Sequence, residues 1–319
     1  MPLWYFETSA VNYIADNFRQ SIWWGTKVQQ ERHGRQWKLS PVTLVELLMT
    51  SDDGRRNHLL ECARRFLHRD LLPSPGDMIV SYIENGIPIH IPSLSLTNKR
   101  SIGATWQAFA DDFDISLSFD HDDIKMKASI VQTQTRLLHK AIRGEDNLQK
   151  SPHPHIDLPS DEIVLDYSLH QLVQELPFVR GRAFHSEQEL RAYRVTLFFI
   201  VHVLCAELDF DNSALKEFWS QLAIEETSDR VSYVIRNLPE LVLRGPFVMM
   251  AMMALSQMDG KYPRGLWLDC MHCVYFPHAQ YFMSCDRHFQ RFRHTLSRRG
   301  FPAESLKQID TLEWGEVVL

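Results

Sequence analysis

Leu3-Trp4-Tyr5-Phe6-Glu7-Thr8-Ser9 and Tyr281-Phe282-Met283-Ser284-Cys285-Asp286-Arg287-His288-Phe289 share one grammar at opposite ends of the chain. Each begins with a short apolar run that reads as a strand, passes through a carboxylate, and opens into a helical pattern. A carboxylate placed where a strand gives way to a helix lies at the carboxyl edge of a parallel sheet. That edge is where open α/β sheets bind ligands. These two stretches therefore predict an α/β core with acidic groups at the sheet's upper rim.

Outward from the first stretch, Ser9 is the expected N-cap of a helix running through Tyr13, Ile14 and Phe18. Gln36–Leu39 reads as a second strand, and Ser40-Pro41 as the N-cap and first residue of a helix through Val42, Leu44, Val45, Glu46, Leu47 and Leu48. Asp52-Asp53-Gly54 breaks the chain before an amphipathic helix through Leu59, Leu60, Ala63, Phe66 and Leu67. Around the second stretch, Leu266–Phe276 is expected to be helical with Asp269 near its start, and Ala279–Cys285 a strand. Arg287–Arg299 follows as a helix stopped by Gly300. The tail, Thr311–Leu319, ends in Val317-Val318-Leu319 and reads as a final strand.

The middle of the chain has a different texture. Pro73, Pro75, Pro88 and Pro92 mark loops around one short helix, and an acidic stretch from Asp111 to Asp123 reads as solvated surface. Helices are expected at about 122–143, 160–175, 186–209, 212–223, 227–236 and 246–257, with Ser151–Pro159 as a proline-rich connector. Strands and helices thus alternate at the two ends, whereas the centre is nearly all helical. The expected organisation is a core formed by 1–70 and 262–319, split by a helical insertion over 71–261.

Composition narrows the class. With 45% apolar and 23% charged residues among 319, the chain has an ordinary globular profile, and 13 glycines leave few tight turns. A net charge of −6 argues against a broad basic surface, though not against a local one. Five cysteines fit no paired extracellular framework, so reduced thiols in a cytoplasm are expected. The first residues lack the basic start and apolar core of a signal peptide, and the apolar stretch Val195–Ala206 is too short to cross a bilayer. No membrane partner is expected.

Glu7, Glu46, Asp269 and Asp286 are the candidate chemistry. Carboxylates gathered in one crevice repel one another and require a hard divalent cation, Mg2+ or Mn2+, to coexist. Three blocks carry these acids in order: Phe6-Glu7-Thr8-Ser9-Ala10-Val11-Asn12-Tyr13, Ser40-Pro41-Val42-Thr43-Leu44-Val45-Glu46-Leu47-Leu48, and Asp269-Cys270-Met271-His272 followed by Phe282–Phe289. Together they resemble the signature blocks of PIN-domain nucleases, with Ser284-Cys285-Asp286 standing for that family's Thr-x-Asp element. The first acid departs from the pattern, being Glu7 where the family has Asp.

The resemblance covers 1–70 and 262–319, and it implies a Rossmann-like PIN core with a central parallel sheet. It further implies a metal-dependent ribonuclease whose four acids are both metal ligands and catalytic groups, with RNA as substrate. The implied setting is a bacterial toxin or defence effector with an antitoxin or other protein partner. Thr8, Ser9 and Ser284, in the same blocks, are candidate substrate contacts, and Arg264, Arg287 and Arg291 are candidate phosphate holders. The alternative is a PIN-like scaffold that does not cleave and binds RNA or a protein through its helical insertion.

Three further constellations weigh less. Cys270-x-x-Cys273 encloses His272, but no second cysteine pair completes a zinc site, so packed thiols are the expectation. Arg180-x4-His185 resembles the motif of the helical HEPN ribonucleases, without the polar residue expected after the arginine. His153, His155 and Asp157 lie in the proline-rich connector.

Overall fold

Four short strands form one parallel sheet: β1 (Leu3–Phe6), β2 (Gln36–Lys38), β3 (Tyr281–Ser284) and β4 (Leu306–Gln308), in the order β2-β1-β3-β4. A computed structural model describes residues 2–18, 35–67, 71–85, 213–226, 245–257, 265–301 and 303–308, with single helical positions at 125, 129, 192, 196, 199, 200, 203, 204, 229, 230, 233 and 234. Trp4 pairs with Trp37 on one side and Tyr281 on the other, and Phe282 with Leu306. Residues from opposite ends of the chain are therefore hydrogen-bonded neighbours at the centre of the sheet.

Every strand is too short to be stable alone, and burial on both faces holds the sheet together. Alternation along the strands divides the apolar residues between two layers. Trp4, Phe6, Trp37 and Met283 pack with α1 (Thr8–Phe18), α2 (Pro41–Leu48) and α3 (Asp53–Phe66), through Val11, Ile14, Leu44, Leu47, Leu59 and Phe66 among others. Tyr5, Phe282 and Leu306 face the opposite layer. That layer contains α4 (Pro75–Asn85), α5 (Ser213–Gln221), α6 (Gly245–Gln257), α7 (Leu266–His272) and α8 (Arg287–Arg298).

The α6 segment, Gly-Pro-Phe-Val-Met-Met-Ala-Met-Met-Ala-Leu-Ser-Gln, is apolar nearly all round, as a helix inside a core must be. It packs on α7, α8 and the 3-10 turn Cys273–Tyr275. Met78, Phe199, Trp219 and Met250, all from the expected helical insertion, share a core with Phe282 and Phe289. This is an α/β arrangement with a small all-parallel sheet and mostly helical covering.

Local signals explain most boundaries. Ser40 caps α2 through its hydroxyl, with Pro41 as the first helical residue, and Asp52 caps α3. Asp286 caps α8, and Gly300 takes the positive φ of 75° that ends it. One expected cap is corrected. Ser9 lies inside α1, whose first turn is capped by the Glu7 carboxylate, which accepts from the amides of Ser9 (2.9 Å) and Ala10 (3.2 Å). Glu7 wins because it sits before the first helical residue, whereas the Ser9 hydroxyl is drawn to Glu7 itself.

The fourth strand, β4, was not anticipated: it is only three residues long, and Lys307 and Gln308 hide its pattern. The expected strand at Val317–Leu319 lies outside the described residues, as do the expected helix at 160–175, the acidic stretch, Arg180, His185, His153, His155 and Asp157.

Candidate metal centre

β1 lies between β2 and β3: the chain leaves β1 towards β2 on one side, and the connection out of β2 crosses over to β3 on the other. A crevice opens at such a switch point above the carboxyl ends of the strands. Glu7 follows β1 directly and is 4% exposed. Glu46 projects from α2, the helix that follows β2, as the half-buried residue of a segment whose other side chains are buried. Asp269 and His272 lie three apart on α7 and so share one helix face, and both are buried. Asp286 follows β3 and is half-exposed.

Glu7, Glu46 and His272 each offer one donor atom, and the three atoms lie within 4.8 Å of one another. His272 Nε2 is 2.7 Å from Glu46 Oε2, and the Thr8 hydroxyl donates to the same oxygen. On its other side, His272 Nδ1 hydrogen-bonds the Tyr5 hydroxyl, which also meets Ser40 Oγ at 2.8 Å and Thr43 Oγ1 at 3.2 Å. Thr43 Oγ1 in turn donates to the Phe6 carbonyl. This buried chain fixes the ring orientation of His272, as outer hydrogen bonds do for histidines that hold metals.

Asp269 and Asp286 stand beside this group and are joined through a second histidine. His288 Nδ1 is 3.0 Å from Asp269 Oδ2 and 3.8 Å from Asp286 Oδ1. Among the described residues, then, Glu7 and Glu46 come within reach of one ion together with His272, while the other two acids converge on His288. The groups are electrostatically continuous, since the charge of Glu46 acts on Asp269 and that of Asp269 on His272.

Burial raises the Glu7 carboxyl to about 7, against the opposing pull of His272 and the Ser9 hydrogen bonds. Burial also raises Asp269, while its hydrogen bond to His288 opposes the rise. For His272, burial acts downward but is outweighed by Glu46, Glu7 and Asp269, so the imidazole is raised overall. His288 is raised chiefly by its hydrogen bond to Asp269. An acid poised near neutrality beside a histidine and further carboxylates is the pattern expected of a functional site.

The remaining candidates occupy distinct places. Thr8 and Ser9 direct their hydroxyls to Glu46 and Glu7, and Ser9 Oγ also accepts from the Cys285 amide at 2.7 Å. Ser284 Oγ accepts from the Asp286 amide at 3.0 Å. Arg287 and Arg291 are exposed on α8, and Arg264 lies outside the described residues.

Cys270 and Cys273 are buried free thiols, and Cys270 Sγ donates to the Met250 carbonyl at 3.7 Å. Burial raises both thiols, and both side chains lie in the apolar core. His272 and His288, the two residues that organise the acids, were not among the expected site residues. The available signal was their spacing, a histidine three positions after Asp269 and another two after Asp286.

No family model, curated protein or solved structure matches this chain.

The donor set suits a divalent cation. Two carboxylates and an imidazole could hold such an ion and leave coordination positions for water.

Proposed function

We propose that the chain is a divalent-metal-dependent ribonuclease with a Rossmann-like PIN core, hydrolysing RNA phosphodiester bonds. The observation that carries this reading is the convergence of Glu7, Glu46 and His272 above the carboxyl end of β1, with Asp269 and Asp286 alongside. The order of the four acids along the chain agrees with the signature blocks of the PIN nucleases. Glu7, Glu46 and His272 would hold Mn2+ or Mg2+; when bound, the cation supplies Lewis acidity and neutralises charge developing on the departing oxygen.

The chain's own groups divide the remaining work. Tyr5 and Thr8 fix His272 and Glu46, and Ser9 fixes Glu7. Asp286, the most open of the four acids, meets the substrate side, where it can orient a water, with His288 beside it to carry a proton. The biological setting in this reading is cytoplasmic, as a toxin or defence effector controlled by a protein partner.

Asp286→Asn tests the assignment. Asn caps helices about as well as Asp, so α8 and the melting temperature should be preserved while Mn2+-dependent cleavage is lost. Undiminished cleavage by that variant, in a preparation free of contaminating nuclease, removes the reading.

A second reading is a PIN-like scaffold that binds RNA or a protein without cutting. It draws support from the structural duties of the acids: Glu7 caps α1, and Glu46 accepts from Thr8 and pairs with His272. Calorimetric titration with Mn2+ separates the two, since a scaffold shows no binding that Glu46→Gln weakens.

A further inference from the structure

We propose that the exposed arginine face of α8 is a phosphate-backbone track along which single-stranded nucleic acid reaches the carboxylate crevice. Between Asp286 and Glu304 there is no acidic residue, yet the segment carries Arg287, Arg291, Arg293, Arg298 and Arg299 with His288 and His294. In a chain of net charge −6 this is a concentrated local exception. Phe289, Phe292 and Leu296 bury the opposite side of the helix in the core, leaving Arg287, Arg291, Arg293 and Arg298 exposed. Among the described residues none of these four forms an ion pair.

Two lanes result. Arg287, Arg291 and Arg298, spaced four and seven apart, make a ridge on one side of the helix. Arg293 and His294, with Gln290 and Ser297, line a neighbouring groove of about 340 Å3 that runs between α8 and β4. Ser284 and Asp286 also line that groove. The ammonium of Lys307, on the β4 wall, stands 5.6 Å from the Tyr281 ring centroid and is engaged there.

Both lanes lead to Asp286, the N-cap of α8. From Arg287 to Arg298 the helix rises roughly 16 Å, enough to meet several successive phosphates. Guanidinium groups suit phosphate oxygens because they donate in pairs. A membrane surface fits less well, because a membrane-bound helix exposes an apolar face, and the apolar side chains of α8 are spent on the core.

The inference rests on the phosphodiester reading of the carboxylate site, and binding can be measured apart from cleavage. The experiment is fluorescence anisotropy of a labelled single-stranded RNA with the full chain in EDTA over a series of salt concentrations, with the fold checked by circular dichroism. Each phosphate neutralised on a single strand contributes about −0.7 to the slope of log K against log salt. R291E/R298E should therefore bind at least tenfold more weakly, with a slope shallower by about 1.4. R291K/R298K should keep most of both, and Lys216→Glu, on distant α5, should change neither.

Unchanged binding by R291E/R298E overturns the track, as does an equal loss in Lys216→Glu. Binding of the wild type to phosphatidylserine vesicles but not to RNA overturns it in favour of a membrane surface. RNA binding by the wild type that needs the arginines, without any Mn2+-dependent cleavage, removes the hydrolase reading and leaves the track standing.

Discussion

The two halves of the acidic crevice are built from the same parts and behave differently. Each has an acid at a strand end, an acid on a helix and a histidine between them: Glu7, Glu46 and His272 in one, Asp286, Asp269 and His288 in the other. In the first, the histidine is wholly buried and backed by Tyr5. In the second, the His288 side chain is 30% exposed and Asp286 40%. Depth therefore sets the chemistry. The inner half is dry enough to raise Glu7 to about 7 and to hold His272 in one orientation, while in the outer half water reaches His288 and Asp286 and only Asp269 behind them is buried.

Truncation at equivalent places should expose this contrast. Glu46→Ala leaves His272 buried among other polar groups without its partner, a change expected to cost about 4 kcal/mol. His288→Ala also leaves the buried Asp269 without its partner, but water can enter beside the half-exposed Asp286, so it should cost less, about 2 kcal/mol. Urea denaturation of the two variants measures both; equal costs would show that the halves do not differ in depth as described.

The second largest effect concerns pH. The Glu7 carboxyl is raised in the folded chain to about 7 from an ordinary value of 4.5. Its contribution to stability is therefore complete below about 4.5 and is lost as the pH rises through about 7, where the folded chain must carry a buried charge. Glu7→Gln abolishes that loss, so the variant should gain on the wild type by roughly 3 kcal/mol between pH 4.5 and pH 8. Unfolding in EDTA at a series of pH values provides the comparison, and a difference constant with pH would mean that Glu7 is not desolvated. In the outer half, His288→Gln should leave the pH dependence attributable to Glu7 unchanged, the smallest effect of the set.

Much of the fold was legible because its signals are local. Three of the four strands, the Ser40-Pro41 entry to α2, the α8 start at Asp286 and the stop at Gly300 follow from short-range sterics and hydrogen bonding. β4 was not legible, because three residues carry no usable alternation. Of the candidate site, the four acids stood out by their positions at strand ends and on helices. His272 did not, since it sits inside the Cys270-x-x-Cys273 spacing, and only the folded chain places its ring between Tyr5 and Glu46.

Taken alone, the sequence determined most of the described strands and helices, β4 excepted, and that acids follow two of the strands. Those outcomes depend on side chains within a few residues of one another. Tertiary structure decided that Glu46 and His272, 226 positions apart, share a hydrogen bond, and that Glu7 is buried deeply enough to resist ionisation. It also decided that the acids fall into two groups, one around the buried His272 and one around the half-exposed His288. Desolvation and long-range pairing depend on what the rest of the chain packs above a residue, and no local pattern encodes that.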